Sequence, residues 1–554
     1  MQFTGAQLII HLLERQGVTR VAGIPGGAAL PLYDALSQSR AIHHVLARHE
    51  QGAGFIAQGM ARATGRAAVC MASSGPGATN LVTAIADAQL DSVPVVCITA
   101  QVPSAMIGTD AFQEVDTYGL SIPITKHNWL VRRVEDLLRI IPDAFRIAES
   151  GRPGPVWVDV PKDVLNATLD VPELPAVARP DELPEGDALQ IARAAALINA
   201  AERPVLYLGG GVIAGNAADA ATRLAERAGL PTTMTLMGLG AMPVDHPLSL
   251  GMLGMHGARY TNYALEEADL LIVLGARFDD RAIGKAEKFC PRAAIIHVDI
   301  DPAEHGKIRQ ANVALHGDVG RVLARLDAQV QSSPRRAWLA RVAQLRREHP
   351  LALPGADDPR SHYGLVRAVA AALDDDAIVT TDVGQHQMWV AQAYPLRRPR
   401  QWLTSGGLGT MGFGLPAAIG AALACPGRTV VCFSGDGSLK MNIQEMDTAV
   451  EEGANVKVVL MNNQSLGLVH QQQDLFYGQR IFASDYRRHT NFQMIAAGFG
   501  MRVFDLDQAD DPRAMLTEAL AATGPCLIHC SIDVSQKVFP MVPPGAANTE
   551  MIGG

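Results

Sequence analysis

The chain has 554 residues, of which 48% are hydrophobic and 19% are charged, and its formal net charge at pH 7 is −9. This length exceeds what one hydrophobic core supports and predicts about three domains. The acidic balance and the lack of an apolar run of membrane-spanning length exclude a general polyanion binder and a membrane protein, so we expect neither nucleic acid nor a membrane as partner.

The N-terminal stretch MQFTGAQLIIHLLERQGV has the pattern of a helix of the mature fold and lacks the features of a secretory signal. The seven cysteines are scattered, are mostly embedded in apolar runs and show no zinc-binding spacing. This usage is typical of a reducing compartment, and we therefore expect a cytoplasmic protein.

Short β-rich apolar runs alternate with amphipathic helical stretches along the whole chain, which predicts α/β domains with parallel sheets. Two stretches rich in proline and acid interrupt this rhythm and predict linkers. The predicted division is an N-terminal domain, a linker, a central domain, a second linker, a C-terminal domain and a tail, at residues 1–165, 166–188, 189–330, 331–361, 362–545 and 546–554.

In the first domain, Glu50 precedes an apolar helical stretch, and Ala68–Asn80 (AVCMASSGPGATN) has the pattern of a buried strand, a Ser-Gly-x-Gly turn and a helix. From the residues alone, Glu50 fits equally well as a glutamate favoured by the helix dipole.

The central domain opens with RPVLYLGGGVIAG, in which Gly209, Gly211 and Ala214 fit the loose dinucleotide pattern G-x-G-x-x-A. Glu226 lies roughly where a ribose-binding acid belongs, so a nicotinamide-dependent dehydrogenase is an alternative. The signal is weak, because similar glycines follow buried strands in many α/β proteins.

The third domain contains VVCFSGDGSLKMN (Val430–Asn442), which repeats the strand, Ser-Gly-x-Gly turn and helix of the first domain. This repeat predicts two copies of one doubly wound architecture, although convergence on a common junction is an alternative. Asp436 alone would repel a phosphate at the helix start, but a Mg²⁺ ion between them reverses that repulsion. The next buried run ends in Asn462-Asn463, which predicts a second oxygen ligand at the neighbouring strand end.

The GDG and NN motifs at this spacing resemble the fingerprint of thiamine-diphosphate enzymes. Nearly the whole chain, from Thr4 to Met551, resembles the catalytic subunits of the acetohydroxyacid synthase (acetolactate synthase) family, with the bacterial isozyme I type most similar. The motifs that carry this resemblance are RHEQGAGFIAQGMARATG, SGPGATN, GTDAFQEVD, GRPGPVWVDVPKDV, GMLGMHG, GARFDDRAIGK, TDVGQHQMW, GGLGTMGFGLPAAIGAA and MVPPGAANTEM.

The resemblance implies three doubly wound parallel-sheet domains, which bind the cofactor's pyrimidine, FAD and the cofactor's diphosphate, respectively. Thiamine diphosphate is expected to contact Glu50, Gly384, Gln385, His386, Gly409, Met411, Gly435, Gly437 and Ser438, with Mg²⁺ held by Asp436, Asn463 and Ser465. A structural, non-redox FAD is expected near Arg152, Gly209, Gly210, Gly254, Met255, His256, Gly275, Ala276, Arg277, Asp299 and Asp318.

The implied reaction is decarboxylation of pyruvate and transfer of the two-carbon unit to pyruvate or 2-ketobutyrate, the first common step of valine, leucine and isoleucine biosynthesis. Glu50 would drive proton transfer on the aminopyrimidine. Arg281 would bind the acceptor carboxylate. A surface ion pair with Asp279 or Asp280 is an alternative for Arg281, and it is the commoner arrangement for an arginine in such a sequence. Further residues expected at the catalytic pocket are Gln113, Lys162, Phe112, Met255, Leu468 and Gln472.

The resemblance also implies a homodimer or homotetramer with active sites at the interface, and a separate small regulatory subunit. Pyruvate oxidase, which would consume an electron acceptor, is an alternative, and a non-enzymatic relative would need to have lost Glu50.

Two positions depart from the family pattern. Gln472 replaces a tryptophan that favours 2-ketobutyrate, so we expect weak discrimination between acceptors. Lys440 replaces an apolar residue, and the sequence assigns it no role.

Overall fold

The computed structural model describes residues 1–553. It contains three six-stranded sheets, and every strand pair within them is parallel. The predicted fold class, three parallel-sheet α/β domains, is confirmed.

The N-terminal domain is built around the sheet of order β3-β2-β4-β5-β7-β6, and a two-stranded antiparallel ribbon joins β1 to β8. Its strands are β1 (Gln2–Thr4), β2 (Arg20–Gly23), β3 (His43–Leu46), β4 (Ala68–Ala72), β5 (Val95–Gln101), β6 (His127–Leu130), β7 (Val156–Pro161) and β8 (Thr168–Asp170). Its helices are α1 (Gly5–Arg15), α2 (Leu30–Ser37), α3 (Glu50–Thr64), α4 (Pro76–Leu90), α5 (Thr117–Ser121), α6 (Leu137–Glu149) and α7 (Lys162–Asn166).

The central domain has the sheet order β11-β10-β9-β12-β13-β14. Its strands are β9 (Pro204–Leu208), β10 (Thr232–Met234), β11 (Ser249–Met252), β12 (Leu270–Leu274), β13 (Ala294–Asp299) and β14 (Val313–His316). Its helices are α8 (Ala188–Ala200), α9 (Gly210–Ala214), α10 (Ala218–Ala228), α11 (Arg259–Glu267), α12 (Asp280–Ile283), α13 (Val319–Asp327) and α14 (Arg336–Glu348).

The C-terminal domain has the sheet order β16-β15-β17-β18-β20-β19. Its strands are β15 (Ile378–Thr381), β16 (Trp402–Leu403), β17 (Val430–Gly435), β18 (Val456–Asn462), β19 (Arg502–Asp505) and β20 (Cys526–Ser531). Its helices are α15 (His362–Ala371), α16 (Gln385–Ala393), α17 (Gly414–Ala424), α18 (Asp436–Leu439), α19 (Glu445–Glu451), α20 (Gly467–Phe476), α21 (Phe492–Gly498) and α22 (Pro512–Ala521). Short 3₁₀ helices cover Ser104–Met106, Ile122–Ile124, Val134–Asp136, Leu236–Gly238, Ala286–Lys288, Pro302–Glu304 and Leu506–Gln508.

The outer two domains share one topology. Numbered within each domain, both six-stranded sheets have the order 2-1-3-4-6-5, whereas the central sheet has the order 3-2-1-4-5-6 of dinucleotide-binding folds. The SSGPG segment directly follows β4, and the FSGDG segment spans the end of β17 and the start of α18; β4 and β17 are each the third strand of their sheet. The predicted repeat of one architecture is therefore confirmed.

The central strands are continuous apolar runs because helices cover both faces of each sheet. Every residue of β5, VVCITAQ, and of β18, VKVVLMN, is buried. The lysine of β18, Lys457, is satisfied inside the core because its ammonium donates hydrogen bonds to the carbonyls of Ala522 and Gly524.

The outer domains pack against each other through α3 and α17, which cross at small residues. A Cβ atom on Gly59 would lie 2.0 Å from the carbonyl oxygen of Ala417, and one on Gly420 would lie 1.9 Å from that of Ile56. Glycine at these positions lets the two backbones touch, which brings the beginning of α3, where Glu50 lies, close to the C-terminal domain.

The two predicted linkers contain regular structure. The segment 166–188 includes β8, which pairs with β1, and the segment 331–361 includes α14. The helix forms because Trp338, Val342 and Leu345 share one face, which is buried against the central domain. Within residues 1–553, no helix combines the length and the apolar composition needed to cross a membrane.

Candidate active site

The carboxylate of Asp436 is buried at the carboxyl end of β17. The side chain is 1% exposed, and neither carboxylate oxygen has a hydrogen-bond partner among residues 1–553. The peptide N–H groups of Asn463 and Gln464 face it without forming a hydrogen bond of normal geometry. Burial raises the pKa of this carboxyl, and Lys440 opposes that rise. A buried carboxylate without partners is costly, so this site has the character of a cation-binding position.

The segment that follows β18 lies against this carboxylate, as the spacing predicts. Asn463 accepts a hydrogen bond from the Ser465 N–H at its Oδ1, and its Nδ2 donates to Gln385 Oε1, 3.0 Å away. Gln464 has a positive φ of 57°, which turns the chain sharply between Asn463 and Ser465. The turn therefore presents side-chain and main-chain oxygens at the same sheet edge as Asp436.

His386 and the glycines around it form a tight junction between β15 and β17. A Cβ atom on Gly435 would lie 2.9 Å from His386 Nδ1, and one on Gly384 would lie 3.1 Å from the ring. Burial lowers the pKa of His386 to about 3, and a contact with the backbone of Asp382 works in the opposite direction. Its Nε2 atom finds no hydrogen-bond partner in the described part of the chain. This buried ring therefore has one nitrogen available to a ligand at the strand ends.

The helix start at Asp436–Ser438 and the loop with Met411 lie beside each other. A Cβ atom on Gly437 would lie 3.6 Å from Met411 Cε and 2.8 Å from Leu466 Cδ2. Gly409 has a φ of 68°, a left-handed conformation that favours glycine. The hydroxyl of Ser438 already donates to the carbonyl of Val383, which leaves the backbone N–H of Ser438 as its predicted phosphate contact.

Lys440, to which the sequence assigned no role, extends towards the Asp436 site. Its Nζ lies 3.9 Å from Asp436 Oδ2 and 3.4 Å from the centre of the Tyr486 ring. The ammonium is thus held by a cation–π contact next to the buried carboxylate. Tyr486 was not among the predicted site residues, because it lies far from the GDG and NN motifs in the sequence.

Glu50 is the first residue of α3 in the N-terminal domain. Its Oε2 accepts a hydrogen bond of 2.8 Å from Asn80 Nδ2, and its Oε1 lies 3.5 Å from the Cβ position of Gly77. Helix α3 therefore presents Glu50 to the start of α4, at the carboxyl edge of the sheet. Asn80 was missed by the sequence reasoning, although it is the last residue of the quoted SGPGATN motif.

Two of three further predicted residues of the N-terminal domain lie at the same edge of its sheet. The backbone of Gln113 packs against Gly75, whose Cβ position is 2.8 Å from Gln113 Cα. Lys162 donates from Nζ to the carbonyl of Gly27, 2.9 Å away. Phe112 is 86% exposed and is not enclosed by its own chain. The structure thus groups Gln113 and Lys162 with the SGPG and PGG turns but leaves Phe112 on the surface.

Arg281 and Met255 are adjacent in the central domain. Arg281 Nη1 lies 3.8 Å from Met255 Sδ, and the Met255 N–H donates to the Arg281 carbonyl. The Arg281 side chain is 65% exposed, and its Nε is 3.8 Å from Asp280 Oδ2. Asp279, by contrast, caps α12 by accepting from backbone N–H groups, so its carboxylate is used locally. Most of the Arg281 charge remains available to a ligand.

Glycines bring the ends of β9 and β12 together in the central domain. A Cβ atom on Gly209 would lie 2.1 Å from the Gly275 carbonyl oxygen, and one on Gly211 would lie 2.7 Å from Gly275 Cα. Ala276 is part of the same contact, and Gly210 faces Met237. This close backbone approach lies at the point where the strand order reverses, which is where α/β sheets bind dinucleotides.

The other predicted flavin residues do not form one cluster. Arg152 and Arg277 line a cavity of about 620 Å³ together with Lys126, Lys307 and Glu304. Arg152 is partly neutralised there, since its Nη1 lies 2.9 Å from Glu304 Oε1.

Gly254 and His256 lie instead beside Arg281 and the segment 540–542, where His256 Nδ1 is 3.2 Å from the Pro540 carbonyl. Asp318 caps α13. Asp299 is buried, and burial raises its pKa to about 6.

Leu468 and Gln472 are one helical turn apart on α20 and are both partly buried. Their neighbour Gln471 is fully buried and accepts a 3.0 Å hydrogen bond from Gln385 at its Oε1. The helix is therefore tied to the start of α16, so the predicted pocket residues of α20 lie on a fixed surface.

Three family models match the chain. The thiamine pyrophosphate (TPP) enzyme N-terminal TPP-binding domain matches residues 3–120, the central domain matches 191–326, and the C-terminal TPP-binding domain matches 382–530. These matches show that the chain is a thiamine-diphosphate-dependent enzyme.

Several relatives are similar over nearly the full length. The chain is 67% identical over 552 residues to the acetolactate synthase isozyme 1 large subunit of Escherichia coli (strain K12), covering 100% of this chain and 98% of the relative. It is 48% identical over 549 residues to the isozyme 2 large subunit of the same strain, covering 99% of each. It is 46% identical over 575 residues to acetolactate synthase 1, chloroplastic, of Oryza sativa subsp. japonica, covering 99% of this chain and 87% of the relative. The chain belongs to the acetolactate synthase large-subunit family.

Proposed function

We propose that the chain is the catalytic subunit of an acetolactate synthase, which decarboxylates pyruvate and joins the resulting two-carbon unit to a second 2-keto acid. Pyruvate as acceptor gives 2-acetolactate, and 2-ketobutyrate gives 2-aceto-2-hydroxybutyrate. The observation that carries the proposal is the buried carboxylate of Asp436, which has no hydrogen-bond partner within residues 1–553 and lies between a glycine-lined helix start and the Asn463 turn. Thiamine diphosphate supplies the carbanion chemistry when it is bound.

The donor set around Asp436 fits Mg²⁺, which prefers carboxylate, amide and main-chain oxygens. In the proposal, Asp436, the side-chain oxygen of Asn463 and the main-chain oxygen of Ser465 hold the ion. The ion would satisfy the two carboxylate oxygens that have no hydrogen-bond partner within residues 1–553. The N–H groups of Gly437 and Ser438 at the helix start then bind diphosphate oxygens, and His386 Nε2 offers a further contact.

Glu50 holds and moves the proton in this scheme. Asn80 orients its carboxylate by donating to Oε2, which leaves Oε1 available to the aminopyrimidine nitrogen of the cofactor. A carboxylate hydrogen-bonded to that ring favours the tautomer that removes the reactive proton. Gln113 and Lys162 border the same edge and are proposed to line the pocket.

Arg281 is proposed to bind the carboxylate that the acceptor retains. Its guanidinium is exposed, has no ion pair closer than the 3.8 Å contact with Asp280, and lies against Met255. Met255, Leu468 and Gln472 would contact the acceptor's alkyl end. Because Gln472 is polar, the extra methyl group of 2-ketobutyrate gains little there, and discrimination between acceptors is proposed to be weak.

FAD is proposed to bind the central domain in a structural role. The close contact of Gly209 and Gly211 with Gly275 supports this, since a dinucleotide backbone needs such an approach. The cavity with Arg152, Arg277, Lys126 and Lys307 offers cations for a pyrophosphate. No electron acceptor is required in the net reaction.

An oligomer of catalytic chains is proposed to complete each active site. The segment that carries Phe112 exposes several apolar side chains, including Met106, Leu120 and Ile122, which a second copy would cover. The words "large subunit" in the names of two relatives support a separate small, regulatory chain as partner.

The proposal is tested by measuring acetolactate, CO₂ and electron-acceptor consumption with each cofactor omitted in turn. We expect acetolactate only when thiamine diphosphate, Mg²⁺ and FAD are all present, with no acceptor consumed. Glu50→Gln should abolish the product, whereas the exposed control Glu348→Gln should retain it. Acetate with a reduced acceptor would instead show a pyruvate oxidase.

A further inference from the structure

The loop 404–413, TSGGLGTMGF, joins β16 to α17 and carries Met411. Four of its residues are glycines, and Gly409 and Gly412 have positive φ angles of 68° and 91°. Such a glycine-rich sequence has little intrinsic preference for one conformation. Contacts from outside the loop must therefore determine the conformation that the loop adopts.

Asp91, which directly follows helix α4 of the N-terminal domain, supplies hydrogen-bond acceptors to this loop. The Gly406 N–H donates to Asp91 Oδ2 at 3.0 Å, and the Gly407 N–H donates to Asp91 Oδ1 at 2.7 Å. A Cβ atom on Gly407 would lie 2.9 Å from that same oxygen, so glycine is needed for this approach. Both carboxylate oxygens are therefore occupied by backbone of the other domain.

Asp87, one turn earlier on α4, holds the two hydroxyls of the loop. Its Oδ1 accepts from Ser405 Oγ and from Thr410 Oγ1, the latter at 2.9 Å. Ser405 Oγ in turn accepts from the Thr410 N–H at 2.8 Å. Asp87 thus fixes both sides of the loop, five residues apart.

Arg62 of α3 completes the network. Its Nη2 lies 2.8 Å from Asp91 Oδ2 and 3.3 Å from Asp87 Oδ2, and its Nη1 donates to the Thr404 carbonyl. The side chains of both aspartates are 0% exposed and that of Arg62 is 8% exposed. Two buried negative charges face one positive charge, so the N–H and O–H donors of the loop are needed to stabilise the second carboxylate.

We propose that Asp91, assisted by Asp87 and Arg62, is a positioning residue for cofactor binding, through which the N-terminal domain sets the conformation of the loop that carries Met411. The inference rests on the proposed function, in which Met411 supports thiamine diphosphate beside Gly437. Each N-terminal domain would then contribute Glu50 to catalysis and, separately, order a cofactor-binding loop of the C-terminal domain in its own chain.

Asp91→Asn tests the proposal because it conserves shape but replaces one acceptor with a donor that faces an N–H group. Thiamine diphosphate binding to the apoprotein at fixed Mg²⁺ is measured by calorimetry, and we expect the Kd to rise about tenfold, which is about 1.4 kcal/mol. The control is Glu452→Gln, which removes the carboxylate of the His43–Glu452 contact between the same two domains, away from the loop. Wild-type affinity in Asp91→Asn, or an equal loss in the control, would overturn the proposal.

Hydrogen exchange gives a readout that does not depend on the cofactor. In apo Asp91→Asn, the amides of residues 404–413 should exchange at least tenfold faster while those of β17 and β18 stay unchanged. If Asp91→Asn fails to fold, Thr410→Val keeps the Arg62 ion pairs and should raise the Kd about threefold. An unchanged loop exchange rate in both variants would refute the positioning role, whereas failure of the wild type to bind thiamine diphosphate would refute only the proposed function.

Discussion

Replacing Lys440 by methionine should tighten binding of a divalent cation at Asp436. Lys440 Nζ lies 3.9 Å from Asp436 Oδ2, where it partly neutralises the carboxylate that the cation needs. At this distance two unit charges interact with about 4 kcal/mol at an effective dielectric constant of 20 and about 1 kcal/mol in water. Because the lysine side chain is 28% exposed, we take a value towards the lower end, about 1.5 kcal/mol, which corresponds to about a tenfold change in affinity.

The assay is titration of the apoprotein with Mn²⁺, followed by electron paramagnetic resonance of the free ion, at a fixed concentration of thiamine diphosphate. Lys440→Met should lower the Kd about tenfold, and Lys440→Arg, which keeps the charge, should leave it within a factor of about three. An unchanged or higher Kd in Lys440→Met would show that the ammonium does not compete with the cation for Asp436.

Three further predictions concern stability and specificity. Burial raises the pKa of Glu445 from 4.5 to about 7. The contribution of Glu445 to the free energy of unfolding is therefore greatest below pH 4.5, where it amounts to about 3 kcal/mol, and it is lost as the pH rises through 7. Glu445→Gln should remove this pH dependence of stability in urea unfolding at pH 5 and 8, and a variant that retains the pH dependence would contradict its assignment to Glu445. Gly59→Ala forces a Cβ atom to within 2.0 Å of the Ala417 carbonyl and should lower the unfolding free energy by about 3 kcal/mol, whereas Gly427→Ala, with open space around it, should not. Gln472→Trp should raise the 2-ketobutyrate to pyruvate acceptor ratio about tenfold in competition assays, and an unchanged ratio would remove Gln472 from the acceptor pocket.

The fold could be predicted well from the sequence because its signals are local. Buried strand runs, Ser-Gly-x-Gly turns and helix starts follow each other within a few residues, and the two copies of that junction led correctly to two domains of one topology. The helix α14 was not predicted, because it lies in a segment with a proline-rich flank. Its apolar face of Trp338, Val342 and Leu345 can be interpreted only when the surface of the central domain that it packs against is known.

The candidate site was predictable where one motif determines the backbone. The GDG and NN motifs lie at adjacent strand ends, so the proximity of Asp436 and Asn463 follows from the topology. The position of the Lys440 ammonium depends on Tyr486, which comes 46 residues later in the chain. The bonds from Asp91 to Gly406 and Gly407 join residues that are 315 and 316 positions apart, and no local pattern encodes such contacts.

The most direct test of the account is to locate the metal in crystals of the protein grown with thiamine diphosphate and Mn²⁺, by anomalous diffraction. We predict one strong peak about 2.1 Å from an Asp436 carboxylate oxygen and from the Asn463 side-chain oxygen. The chain offers a natural alternative, the cluster of Asp505, Asp507 and His529, whose ligand atoms lie within 4.8 Å of one another. A peak at that cluster and none at Asp436 would contradict the central claim that the GDG aspartate holds the cofactor's metal ion.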